Sequence, residues 1–164
     1  MNDQAPSAAA SPTVEVHLLG LPLHVLRASH EHHDGLMREL QLLALSGRDE
    51  VRDLPGPLVE LVQILGQRYG TWRDRRDAEL EAAIAAGRQV VDQVEVVPAA
   101  ASEAVVHLGE LKEEADSCCR QALLMTVPRP AVLRRFDDWY LRQFVDQLAG
   151  RSAARWDGPL RVEV

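Results

Sequence analysis

Histidine is the side chain best suited to metal ligation or proton transfer near neutral pH, and this chain concentrates it. Five of its six histidines lie between positions 17 and 33, and three stand in the run His30-Glu31-His32-His33-Asp34. Residues three and four apart on a helix are surface neighbours, so His30, His33 and Asp34 share one patch there. Two imidazoles and a carboxylate could ligate a divalent ion, with other helices completing the shell as in helical-bundle metalloproteins. Those further ligands are missing from the sequence. No H-E-x-x-H motif and no second His/Glu cluster occurs, and His107 is the only histidine outside the N-terminal region. The structural reading is therefore favoured: His33 on an apolar stripe, His30 bonded to Asp34 at the helix border, His32 and Glu31 in solvent.

Other candidate chemistry is thinner. Cys118 and Cys119 are adjacent, and on a helix they point about 100° apart, too far for an easy disulfide or a joint chelate. Cys118 falls on an apolar seam and Cys119 at its edge near Asp116, whose charge raises a thiol pKa, so neither is expected to be nucleophilic. The turn Leu19-Gly-Leu-Pro-Leu23 has one glycine and a proline that removes an N–H donor, so it is no phosphate cradle. No Gly-x-Ser-x-Gly elbow occurs, and the acidic run Glu110, Glu113, Glu114, Asp116 lacks calcium-loop spacing and reads as a solvated face. No catalytic residue and no cofactor is assigned.

The elements that would carry these residues follow from periodicity. Residues 1–12 are too poor in large side chains to pack and read as a disordered tail. Val14, Val16 and Leu18 alternate with Glu15 and His17, a half-buried strand ended by Gly20 and Pro22. Pro22 suits the first position of a helix, and Leu26, His33, Leu36, Leu40 and Leu43 continue that helix to about Ser46. A polar linker from Gly47 to Gly56 precedes a second helix that opens at Pro57 and carries Leu58, Leu61, Leu65 and Tyr69. A third, highly charged helix covers Trp72 to Ala86 with Leu80, Ala83 and Ile84 inward. Val90 to Val97 is β-branched and lies between Gly87 and Pro98, a second strand. The fourth helix has a seam of Ala104, Leu108, Leu111, Ala115, Cys118 and Ala122.

The fifth helix, from Pro130 to about Ala149, is the most strongly patterned. Phe136, Tyr140, Phe144 and Leu148 recur every four residues, and Arg134, Asp138, Arg142 and Asp146 do so on the other side. The aromatic stripe is expected in the core, since an exposed one would promote aggregation. The alternating charges form a solvated ladder, each pair contributing a few tenths of a kcal/mol, and are the candidate interaction surface.

Five helices and two short strands predict a mainly helical α+β domain, about five helices packed on a small two- or three-stranded sheet. The globular unit is placed at residues 13–150. A mobile tail follows at 151–164, in which Leu160 to Val164 could add a short edge strand. A length of 164 residues suits one such domain. The net charge of −7, with arginines interleaved among acids, argues against nucleic acid or anionic membrane as partner. No apolar run approaches the ~20 residues of a membrane span. The start, Met1 to Pro12, has no basic n-region or apolar h-region, so it is not read as a signal peptide. The cytoplasm is the expected location.

Three stretches carry a family resemblance. Leu18-Leu-Gly-Leu-Pro22 precedes Arg27-x-x-His-Glu-His-His-Asp-Gly-Leu-Met-Arg-Glu39. Glu113-Glu-Ala-Asp-Ser-Cys-Cys-Arg120 leads to Leu123-Leu-Met-Thr126. Phe136-Asp-Asp-Trp-Tyr-Leu-Arg-Gln-Phe144 is followed by a glycine and Trp156. Together, over most of residues 14–156, they resemble small, uncharacterised actinobacterial proteins that accompany partner-switching modules. Those modules comprise anti-anti-sigma (STAS) proteins, kinase-like anti-sigma factors and serine phosphatases. Some relatives are labelled ATP-binding, but neither the Asn-bearing helix motif nor the Gly-rich lid of kinase-like ATPases is present here. The resemblance implies a regulatory neighbourhood. The expected function is that of a non-enzymatic cytoplasmic regulatory protein in a sigma-factor or stress-signalling switch. Its expected partner is another protein, a signalling or anti-sigma component, and a homo-oligomer is compatible with that role. The alternative is a metal-dependent helical enzyme centred on His30, His33 and Asp34.

Overall fold

The computed structural model describes residues 12–46, 56 and 70–162. All but Pro12 of the tail expected at 1–12, most of the linker and the helix expected to open at Pro57 lie outside the described residues. Within them the chain is α+β and mainly helical, four α-helices with a two-stranded antiparallel sheet.

Strand β1 (Thr13–Pro22) turns Val16 and Leu18 into the core and leaves Glu15 and His17 in solvent, as the alternation requires. It does not end at Gly20. Leu18 pairs with Gln93 and Leu21 with Val91, so Leu19 and Gly20 together oppose Asp92. This is a bulge that re-aims the strand. Gly20 has φ +67, and the Asp92 carboxylate accepts its N–H at 2.6 Å. That backbone conformation calls for glycine; the nearest atoms a Cβ would meet belong to the flexible Arg155 side chain, which can move aside.

Helix α1 (Leu23–Ser46) begins one residue after Pro22, and its first N–H donates to the Gln89 carbonyl. It buries Val25, Leu36, Met37 and Leu40. Helix α2 (Gly70–Ala85) is polar nearly all round, with Leu80 its buried apolar residue among the described side chains. Gly87, at φ +79, ends it. Strand β2 (Val90–Pro98) then pairs along β1. A 3₁₀ turn over Ala99–Ala101 leads into α3 (Ser102–Arg120). The expected seam ran on to Ala122, but α3 stops at Arg120 and Ala122 takes φ +56, its N–H donating back to Cys119 O. Helix α4 (Ala131–Leu148) follows Pro130.

Three apolar clusters fill the interior. Leu36, Met37 and Leu40 of α1 meet Leu111, Ala115, Cys118 and Cys119 of α3. Leu21, Val25, Leu133, Phe136 and Trp156 form a second cluster, and Val16, Leu18 and Phe144 a third. The aromatic stripe of α4 is thus core at Phe136 and Phe144, both buried, and its charge ladder faces outward at Arg134, Asp138 and Arg142.

The core does not stop at Gly150. Trp156 is 6% exposed and packs edge-on against Phe136, ring centroids 5.7 Å apart. Its backbone N–H donates to Leu19 O on the outer edge of β1. The residues expected to form a mobile tail are held there by α4: Gln143 Oε1 accepts the Ala154 N–H and Trp139 Nε1 donates to Ala154 O. No strand forms among the described residues 151–162. Beside this segment, the Gln147 side chain accepts the His17 N–H at 2.8 Å and donates to His17 O at 2.9 Å. Burying one apolar tryptophan and satisfying β1's edge groups are what draw the segment in.

Candidate functional site

Between α1, α2, β2, α3 and α4 lies a cleft of about 570 Å³, within the range of sites for small organic ligands. Its walls are apolar: Leu21, Leu23 and Leu26, then Leu80 and Ala83 of α2, Leu108 of α3, and Phe136, Tyr140 and Leu141 of α4. Each helix contributes through its 3.6-residue stripe. The cleft exists because α2 packs on α1 without filling the space above β2.

Polar groups converge at one side. The cleft is lined by Ser29, His30 and His33 of α1, Asp77 of α2, Lys112 of α3 and Asp137 of α4. His30 Nδ1 is 2.9 Å from Asp77 Oδ1, a partner from α2 that the helical spacing of α1 could not reveal. Asp137 accepts Ser29 Oγ at 3.1 Å and Lys112 Nζ at 3.0 Å. His32 reaches away, its Nε2 2.8 Å from Val127 O.

The predicted trio is therefore divided. His30 and His33 line the cleft, whereas Asp34 does not. Among the described residues, no group of three or more His, Cys, Asp or Glu side chains is arranged to hold a metal ion. The charge ladder Arg134, Asp138, Arg142, Asp146 lines a separate surface groove of about 660 Å³ against residues Ala154 to Asp157, and Arg151 pairs with Asp146 there.

Behind the polar side of the cleft stands a buried ion network that the sequence reading missed. Arg129 Nη1 bonds Asp137 at 2.7 Å, its Nε bonds Asp116 at 3.0 Å, and its Nη2 bonds Glu113 at 2.7 Å. The Arg129 N–H also donates to Asp116 Oδ1. Asp116 is 2% exposed and Asp137 4%, so Asp116 does not belong to a solvated face. Burial alone would raise the Asp137 carboxyl, but the Lys112 and Arg129 cations beside it hold it below its ordinary range. Burial likewise works against the Arg129 charge, and its bonds to Asp116 and Asp137 outweigh that and raise its pKa. One signal was available in the sequence: Arg129 sits between Pro128 and Pro130, where a rigid backbone aims a single cation back at the preceding helix.

Both thiols are free and buried. Desolvation, followed by Asp116, pushes Cys119 up to about 11, and desolvation also raises Cys118. At neutral pH both are protonated, as their seam positions suggested.

No family model matches this chain, and no curated protein or solved structure does either. Among the described residues no helix is long and apolar enough to cross a membrane. The fold and cleft define a class in physical terms: a helical cap on a two-stranded ribbon, holding an apolar cleft with one polar side.

Proposed function

We propose that the chain is a regulatory protein that acts by binding, and that the cleft between α1, α2 and β2 is where it recognises its partner. The observation that carries this reading is the apolar cleft of about 570 Å³, a volume and lining suited to capture of an apolar group. On its polar side Lys112 is paired with Asp137 and His30 is bonded to Asp77, which suits a stable binding surface. A place in a sigma-factor or stress-signalling switch rests on the sequence resemblance alone. A cytoplasmic location is part of the same proposal, and the two free thiols suit a reducing compartment.

Titration with 1-anilinonaphthalene-8-sulfonate tests it. The native protein should bind the dye saturably, and Ala83→Trp, which fills the cleft from α2, should abolish the signal while Tm stays near wild type. Absence of saturable binding, or binding indifferent to Ala83→Trp, would overturn the reading.

A further inference from the structure

Four consecutive residues of β2, Val91 to Val94, line the cleft. Side chains on a strand alternate between faces, so a cavity seated on one face meets every second residue. A run of four places the cavity along the strand's edge, against its backbone. That edge is the one β1 does not use, because among the described residues the sheet has two strands. Among the described residues, the backbone of Val91 to Val94 makes no hydrogen bond outside the β1 ladder.

Building on the binding role proposed above, we infer that the occupant of the cleft is an extended, mainly apolar peptide segment of a partner protein, added to β2 as a third strand. An open strand edge is a template for pairing, and strand addition takes its affinity from main-chain hydrogen bonds and its specificity from pockets for alternate side chains. A two-stranded ribbon gains most from such an addition, since three strands are the usual minimum for an independently stable sheet.

The lining fixes the chemistry of the segment. Side chains on its inner face would meet Leu26, Leu80, Leu108 and Leu141. On the α1, α3 and α4 side of the cleft Lys112 is paired with Asp137 and His30 is bonded to Asp77, and the side chains facing the inner positions there are leucines, so apolar residues suit those positions of the segment. Its other side chains would lie beside Val94 and Val96, which are 50% and 62% exposed, so β-branched residues suit them. At about 3.3 Å per residue, Val91 to Val94 offer roughly 13 Å of edge, enough for a segment of about four residues.

Short capped peptides with Val, Leu, Ile or Phe at alternate positions and Thr between them are the probe, titrated into isotope-labelled full-length protein by NMR. Binding should slow amide exchange at Val94, whose β1 partner His17 turns its own N–H and C=O away from β2 so that the Val94 backbone groups point to the outer edge. N-methylation of the peptide amides that face β2 should weaken binding by about tenfold or more, each methyl removing a main-chain bond. Methylation in the opposite phase should change it little. Equal tolerance of both phases would overturn strand addition. So would strong protection of the outward Val94 amide in the free protein, whether a monomer or a dimer by sedimentation, because the edge would already be covered. Dye binding in the cleft without binding of any strand peptide would overturn this inference while sparing the binding role, whereas loss of both would remove the two together.

Discussion

The two edges of one small sheet are treated in opposite ways. Along the outer edge of β1, Gln147 bonds both backbone groups of His17, and Trp156 donates to Leu19. Behind them Phe136, Phe144 and Trp156 pack into the core. Along the outer edge of β2 there is a cleft, roofed by a helix whose buried apolar contact among the described side chains is Leu80. One edge is closed by the chain's own polar side chains and its returning C-terminal segment. The other has apolar walls and, among the described residues, a backbone bonded only to β1. The difference is one of packing: buried apolar side chains collect on the β1 side, and a cleft with exposed valines lies on the β2 side.

The sharpest way to break that comparison is to attack the closed side. Phe136→Ala and Trp156→Ala should each cost about 3–5 kcal/mol, a large share of the ~5–15 kcal/mol that holds such a domain. Denaturant unfolding checks this, and a wild-type midpoint for Trp156→Ala would mean that the C-terminal segment is not part of the core. Arg129→Met should cost a similar ~3–5 kcal/mol, because it leaves Asp116 buried without its cation and Asp137 with Lys112 alone. The simultaneous replacement of Arg129, Asp116 and Asp137 by apolar residues of similar size should recover much of that loss.

The same network has a pH signature. Asp137 is held below its ordinary value of 3.8 by Lys112 and Arg129 against the opposing effect of burial. Its contribution to stability is therefore complete above that ordinary value and is lost as pH falls through the lower, folded-state value. Stability measured against pH in wild type and Asp137→Asn should differ in slope only in that acidic window. A difference in slope appearing near neutral pH would assign the titration to another group.

Smaller effects are expected elsewhere. Gln147→Ala removes two bonds to His17 and should cost about 1–3 kcal/mol. On the open side, Val94→Thr and Val96→Thr should stay within about 0.5 kcal/mol of wild type and show only in binding. Charge reversals along Arg134, Asp138, Arg142 and Asp146 should also cost less than about 1 kcal/mol. If that ladder is a second partner surface, they would abolish capture of the partner at unchanged Tm. Neither thiol should label in native protein at neutral pH, since both are buried and Cys119 is raised to about 11. Rapid labelling of Cys118 before unfolding would mean that the seam between α1 and α3 opens.

Local pattern was a reliable guide wherever one face of an element decides its fate. β1 and β2, the stripe of α1, the middle of the α3 seam from Leu108 to Cys118 and both faces of α4 stand where periodicity placed them, whereas Ala104 at the start of that seam is exposed; burial of alternate or 3.6-spaced apolar residues is a property of the element itself. Punctuation was less transferable. Gly20 reads as a stop, yet its positive φ makes a bulge once Asp92 is there to bond its N–H. Ala122 reads as seam, yet the chain must leave α3 to bring Arg129 back to Asp116.

What the sequence by itself determined is the class of object: an acidic, mainly helical α+β domain with an aromatic stripe turned to the core, an outward charge ladder and cysteines on a buried seam. Each of those rests on neighbours at most a few residues apart along the chain. The tertiary structure alone decided which distant groups meet. It set Asp77 against His30, Gln147 on His17, Trp156 on Phe136, and Arg129 between Asp116 and Asp137. It also left β2's outer edge facing a cleft. Polar partners and cavities of this kind carry no period in the sequence, because they arise from how finished elements pack and from which backbone and charged groups that packing obliges the chain to satisfy.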